Sequence, residues 1–185
     1  WVAQVPADFR FVPKLSQDIS HRGALADKGV QTLKQVEQIK AGLGQHCGPF
    51  MLQLPPSYSP RQGSDLAMFL NGWRRSELGP LAVEFRHPDW WAPEWFERTN
   101  TMLERLKMGR IILDTRAIYA DSDDPQKNCK NKKPHLPVAF DNHHDTVIVR
   151  YIAHPERAQN DVFWTEWVGQ ISSWLAAGRR VYFFM

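Results

Sequence analysis

The chain of 185 residues has little cysteine, no long apolar run, no glycine-rich phosphate loop and a small net charge. Each scarcity excludes something. Two cysteines, Cys47 and Cys129, cannot build a disulfide scaffold, and they form no metal or redox motif. Free thiols suit a reducing cytoplasm, which is the expected location. No stretch approaches the roughly 18 consecutive apolar residues of a membrane span, so no membrane partner is expected. No Gly-x-Gly-x-x-Gly follows an apolar run and no Walker-type loop occurs, so no nucleotide-cofactor motif is present. A formal charge of +3 is too small to argue for a nucleic-acid partner, which needs a basic stripe beyond any pocket. No signal peptide is visible, and the chain opens at Trp1 rather than at methionine, so a preceding segment is expected.

What remains is an ordinary globular composition, 43% hydrophobic and 23% charged, sufficient for a substantial core. Strand-like and helix-like segments alternate. Strands are expected at Phe9 to Leu15, Phe50 to Leu54, Leu81 to Arg86, Arg110 to Asp114, Thr146 to Tyr151 and Arg180 to Phe184. Helices are expected from Asp27 to Leu43, after an N-cap at Ser59, from Pro93 to a stop at Gly109, and from Asp161 to Ala177. The last helix carries Trp164, Trp167 and Trp174 on a stripe suited to packing against a sheet. The connection from Thr115 to Asp145 is long and polar, with room for a short helix. Six strands separated by crossovers imply a parallel sheet with helices outside, either an open doubly wound sheet or a (β/α) barrel. Polar residues recur at the C-terminal strand ends, which suits a barrel, where such ends form one mouth.

The segment Val83-Glu84-Phe85-Arg86-His87-Pro88-Asp89-Trp90 carries the most information. Glu84 and Arg86 share one strand face while Val83 and Phe85 share the other. This segment resembles the signature of the YecE-like family, also called domain of unknown function 72. Phe9 to Lys14 with Ile19-Ser20-His21, Leu52 to Pro56, and Ile112 to Arg116 agree with it. Lys132-Lys133-Pro134, Val149 to Ile152 and Tyr182 to Met185 resemble its enterobacterial-type branch. The resemblance implies one TIM-type (β/α)8 barrel domain over residues 1 to 185, with this chain supplying strands three to eight. It implies that two βα units precede Trp1 and that a last helix follows Met185. It implies no reaction.

The residues at the strand ends suggest the chemistry. Lys14 with the following His21, then Gln53, Glu84 with Arg86 and His87, Asp114 with Arg116, and Arg150 all fall near those ends. Glu84 with Arg86 and Asp114 with Arg116 are expected to project into one pocket. Three arginines and a lysine exceed two carboxylates, which suits a small anionic ligand, because arginine forks match phosphate and carboxylate oxygens. One reading is an enzyme, a hydrolase or group-transfer catalyst on a phosphate-bearing substrate. There Glu84 or Asp114 serves as base, His87 or His21 as acid, and Lys14, Arg86, Arg116 and Arg150 clamp the anion, with Gln53 beside them. A second places a divalent metal on Glu84, His87, Asp114 and His21, without a tight ligand spacing to support it. A third is a non-catalytic ligand- or partner-binding barrel, and the charge pairs also have a purely structural reading. Lys127, Lys130, Lys132 and Lys133 read as a solvated loop. His46, His135 and His154 read as solvated, and His143-His144 between Asp141 and Asp145 as a hydrated turn. Trp90 and Trp91 read either as a pocket wall or as a staple for the next helix.

Overall fold

Phe50-Met51-Leu52 and Leu81-Ala82-Val83 are apolar runs that turn polar only at Gln53 and Glu84. Runs of this kind are buried on both faces, as strands of parallel sheets are. In the computed structural model of the protein both strands are buried along their whole length. The structure describes residues 1–120, 123–124, 128–140 and 144–185. In chain order the elements are α1 (Gln17–Ser20), α2 (Gly29–Leu43), β1 (Phe50–Gln53), α3 (Gly63–Arg75), β2 (Leu81–Glu84), α4 (Pro93–Leu106), β3 (Gly109–Arg110), β4 (Ile112–Asp114), α5 (Arg116–Tyr119), α6 (Cys129–Lys132), β5 (Thr146–Tyr151), α7 (Asp161–Ala176) and β6 (Arg180–Phe184).

All strand pairs are parallel, in two sheets ordered β1-β2-β3 and β4-β5-β6. The expected strand from Arg110 to Asp114 is thus divided at Ile111. Its first part pairs with β2 and its second with β5, and the Ile111 N–H still donates to the Val83 carbonyl. The expected strand from Phe9 to Leu15 is reduced to two isolated parallel bridges, Phe11 with Cys47 and Lys14 with Met51. Pro13 sits between them and has no N–H for a ladder. Gly109 does not end α4. Lys107, in the left-handed region at φ 55°, does so, and Gly109 lies within β3. A Cβ there would approach the Ala82 Cβ to 3.4 Å. The connection after Thr115 holds two short helices, α5 and α6, among the described residues.

Side-chain parity places two layers on the strands. On one face Val12, Met51, Ala82, Ile111, Ile148 and Tyr182 pack together, one residue from each of the six extended segments. The other face meets the helices. There Leu52, Val83 and Phe50 join the apolar stripes of α2, α3 and α4, while Ile112, Val149 and Phe183 meet Trp167 and Trp174 of α7. The tryptophan stripe of the last helix therefore packs on the sheet as expected. Arg110 also faces the helices, its guanidinium lying 4.4 to 5.2 Å from the ring centres of Phe85, Trp91 and Phe96, where burial pushes its pKa down to about 9. No helix among the described residues is long and apolar enough to cross a membrane.

Ile148 is fully buried in the six-residue layer. Ile148→Ala is expected to cost about 2–5 kcal/mol in urea unfolding, the usual penalty for a core cavity. A loss below about 1 kcal/mol would mean that the layer is not closely packed.

Candidate anion-binding site

Register carries the functional side chains to one place. Gln53 is paired with Glu84, and both lie two residues beyond Met51 and Ala82 of the inner layer. Arg150 lies two beyond Ile148 on the other sheet. With a period of two, all three point inward at the C-terminal strand ends. The Glu84 side chain is completely buried. Arg150 reaches across from the second sheet and donates through Nη1 to Glu84 Oε2 at 2.6 Å and to Gln53 Oε1 at 3.1 Å. Arg86 lies on the far side of the carboxylate, its Nε 3.7 Å from Glu84 Oε1, and its own side chain is 11% exposed. Its Nη2 donates to the Lys132 carbonyl at 2.5 Å.

That last bond draws the long connection over the strand ends. The Tyr119 hydroxyl lies 2.9 and 2.7 Å from the Lys130 and Lys133 carbonyls, and Thr115 Oγ1 donates to the Pro134 carbonyl at 2.9 Å. Tyr119 also stacks on His135, with ring centres 4.4 Å apart. Lys133 is thereby half-buried near the cluster. Burial lowers its pKa, and the positive charges of Arg150 and Arg86 lower it further against the pull of Glu84. The basic run is therefore not simply a solvated loop. Lys133 belongs to the site, while Lys127 lies outside the described residues. The Lys132-Lys133-Pro134 motif was the available signal for it.

His21 completes the cluster from the end of α1. Its Nδ1 is 2.6 Å from Ser20 Oγ, which is 3.2 Å from the Ser16 carbonyl. A hydroxyl has one proton, so both contacts are hydrogen bonds only if Nδ1–H donates to Oγ and Oγ–H to the carbonyl. This tautomer leaves Nε2 with a lone pair. Burial, then Lys14, then Arg86 lower the His21 pKa, so the neutral imidazole is favoured. Burial and Arg150 likewise lower the Arg86 pKa, opposed by Glu84.

Three named residues lie elsewhere. Asp114 is paired with Tyr151, on the face opposite the inner layer, so it points at α7 rather than into the cluster. Its Oδ1 accepts from the Arg116 backbone N–H and Nε, both at 3.0 Å. Its Oδ2 accepts from Arg116 Nη2 at 2.9 Å and from Trp167 Nε1 at 2.7 Å. Arg116 continues to Glu166 at 2.7 Å and covers the Phe163 ring. Burial alone would lower the Arg116 pKa, but its bonds to Asp114 and Glu166 raise it. The expectation that Asp114 and Arg116 share a pocket with Glu84 is thus corrected; parity separates them. His87 caps the turn Pro88–Trp91, its Nδ1 accepting from the Asp89 N–H at 3.2 Å. Trp90 and Trp91 do not wall the Glu84 cluster; Trp90 instead borders a groove between α3 and α4, beside Trp95 and Arg98. Trp90 is buried against Phe85 and donates to the Tyr58 carbonyl, and Trp91 stacks on Phe96.

The proposed metal ligands Glu84, His87, Asp114 and His21 therefore do not converge. Among the described residues no group of three histidine, cysteine or carboxylate side chains is arranged to hold a metal ion. His46 is buried and bonded to the Phe9 carbonyl rather than solvated. His144 is half-buried between Thr146 and Lys107, while Asp141 and His143 lie outside the described residues.

The family model described as "Protein of unknown function DUF72" matches residues 1–185. The UPF0759 protein YecE of Escherichia coli strain K12 and that of strain O157:H7 are each 29% identical over 180 residues, or 94% of this chain. The chain spans 64% of the length of these curated relatives. Two crystal structures of a DUF72 family protein from Enterococcus faecalis V583 match its whole length with TM-scores of 0.65 and 0.68, at 17% and 15% identity. The match covers 70% and 73% of those chains. At such identity the likeness shows the fold alone.

Two outcomes follow from the geometry. Asp114→Asn is expected to lose about 1–3 kcal/mol of stability, and Trp167→Phe to cost less in that background than alone, because the two share a contact. Strict additivity in a urea double-mutant cycle contradicts the contact. By NMR, the His21 imidazole is expected to titrate below the ordinary 6.5. Lys14→Met should raise that midpoint, since one fewer cation opposes protonation. A native midpoint at or above 6.5 contradicts the placement.

Proposed function

The chain belongs to the DUF72 family, and from the cations gathered at its strand ends we propose that it binds a small phosphate-bearing molecule there and carries out hydrolysis or group transfer on it. The observation behind this reading is a charge imbalance. Arg86, Lys133 and Arg150 gather on a single carboxylate, Glu84, and Lys14 adds its charge from beside His21. With His21 neutral, the formal sum is three positive charges. A phosphate dianion offsets most of it, and arginine and lysine donors suit its oxygens. Arg150 and Arg86 are fixed by Glu84, Gln53 and the Lys132 carbonyl, so their donors are oriented before a ligand arrives. Lys14 and Lys133 add charge from more flexible stems. His21 Nε2 serves as the proton acceptor, and the surrounding cations stabilise negative charge that develops during the reaction.

The same reading takes the two sheets as an arc of a (β/α)8 barrel, with this cluster at the C-terminal mouth. Support comes from the inner layer, to which six successive segments each contribute one side chain. Binding without turnover is the second reading. It draws support from the commitments of His87 and Asp114, which leave His21 as the one neutral proton acceptor in the cluster.

Inorganic phosphate tests the site directly. At about 100 times its Kd, phosphate should stabilise the protein by about 2.7 kcal/mol, or raise Tm by roughly 5–10 °C. The double variant Lys14→Ala/Lys133→Ala should bind phosphate at least roughly tenfold more weakly, with a shallower salt dependence. No shift in the native protein, or equal affinity in the variant, overturns the proposal.

A further inference from the structure

A groove of about 860 Å³ runs between α3 and α4, and no residue of the Glu84 cluster lines it. Helical spacing explains its shape. Trp95, Arg98, Met102 and Arg105 line it from α4 at intervals of three, four and three residues, so they form one stripe along that helix. Facing them, α3 contributes the small residues Gly63 and Ala67, which leave the space open. A Cβ on Gly63 would already lie 3.9 and 4.0 Å from the Trp90 and Trp95 rings, so a larger side chain would fill that end.

The groove is basic. Arg61 joins Arg98 and Arg105 along it, all three exposed, and among the described residues Asp89 is the one carboxylate in its lining. None of the three arginines forms an ion pair among the described residues. Asp89 lies 3.7 Å from His87 Nδ1. Asp65, in the first turn of α3, is spent elsewhere, accepting from the Tyr58 hydroxyl and from the Leu25 and Ala26 N–H groups. The Arg98 guanidinium lies over the Trp95 ring, 5.1 Å from its centre. Arginine, tryptophan and methionine are enriched where proteins meet, and the first two carry much of the binding energy there.

The spacing of charge and apolar surface selects the occupant. Arg98 and Arg105 are two turns apart, about 10 Å along the axis, which suits negative charge spread along a chain rather than one compact anion. Acidic residues three apart in an extended peptide span about the same 10 Å. Between the arginines, Met102 and Ala67 offer apolar surface to a side chain. Single-stranded nucleic acid binds by stacking its bases on bare aromatic faces, whereas Arg98 covers the Trp95 ring. We infer that the α3–α4 groove is a docking site for an acidic peptide segment of another protein, with carboxylates on Arg98 and Arg105 and an apolar side chain between them on Met102.

Fluorescence anisotropy with a labelled peptide of repeated Asp-Leu-Ser tests this, beside an equally charged peptide of repeated Asp-Ser-Ser. The native protein is expected to bind the leucine peptide, more weakly as salt rises, and roughly tenfold tighter than the serine peptide, since a buried leucine adds to binding. Arg98→Gln/Arg105→Gln keeps part of each aliphatic stem and should weaken binding roughly tenfold or more. Ala67→Leu, which fills the groove without changing its charge, should weaken it too. Lys14→Ala/Lys133→Ala should leave it unchanged, because those lysines belong to the other site. No binding of the leucine peptide, equal binding of the two peptides, or unchanged affinity in the arginine variant overturns the proposal. Unchanged affinity in Ala67→Leu, or a loss in Lys14→Ala/Lys133→Ala, overturns the groove as the place of binding. Oligothymidylate binding more tightly than the leucine peptide overturns the peptide assignment in favour of nucleic acid. Both arginines are exposed, so their replacement preserves the fold and decides the matter even if Ala67→Leu does not fold.

Discussion

The burial of the Glu84 carboxylate is the constraint around which the strand ends are arranged. Removing such a charge from water costs several kcal/mol unless it is paired and hydrogen-bonded. The pairing residues come from different places: Arg150 from the second sheet, Gln53 held by that same guanidinium, and Arg86 from the turn beyond β2. Satisfying one carboxylate therefore draws the two sheets together at their C-terminal ends. Arg86 passes the constraint on to the Lys132 carbonyl, which seats α6 and Lys133. The positive charge that collects around Glu84 exceeds what Glu84 can neutralise, and the excess is the basis of the site.

Asp114 shows how differently a second strand-end carboxylate can be used. It is as buried as Glu84, but Arg116 and Trp167 supply it with four donors, and no acceptor capacity is left facing a cavity. It joins β4 to α7. Glu84 has one oxygen on Arg150, and the other faces only the Arg86 Nε, 3.7 Å away, without a hydrogen bond. Two carboxylates, each followed two residues later by arginine, thus take opposite faces and opposite tasks.

Much of this was legible in the sequence. The apolar runs of β1, β2 and β5, the tryptophan stripe of α7, and the gathering of Lys14, His21, Gln53, Glu84, Arg86 and Arg150 followed from pattern and resemblance. The face of Asp114 did not. Along Arg110-Ile111-Ile112-Leu113-Asp114 both faces carry apolar residues, so alternation offers no sign of which is inside. Arg110 misleads further, because a charged residue within a strand suggests a pocket, whereas here three aromatic rings bury it. Lys133 was hidden for another reason. Its place depends on Arg86 and Tyr119 holding carbonyls that are distant in sequence, and backbone contacts of that kind leave no periodic trace.

The most direct test of the central claim is a crystal structure grown with tungstate, a phosphate mimic that can be located by its anomalous scattering. A tungsten peak is expected among Lys14, Arg86, Lys133 and Arg150. A structure with tungstate only on the outer surface, or with none bound, would contradict it and leave the Glu84 cluster as a structural ion-pair network.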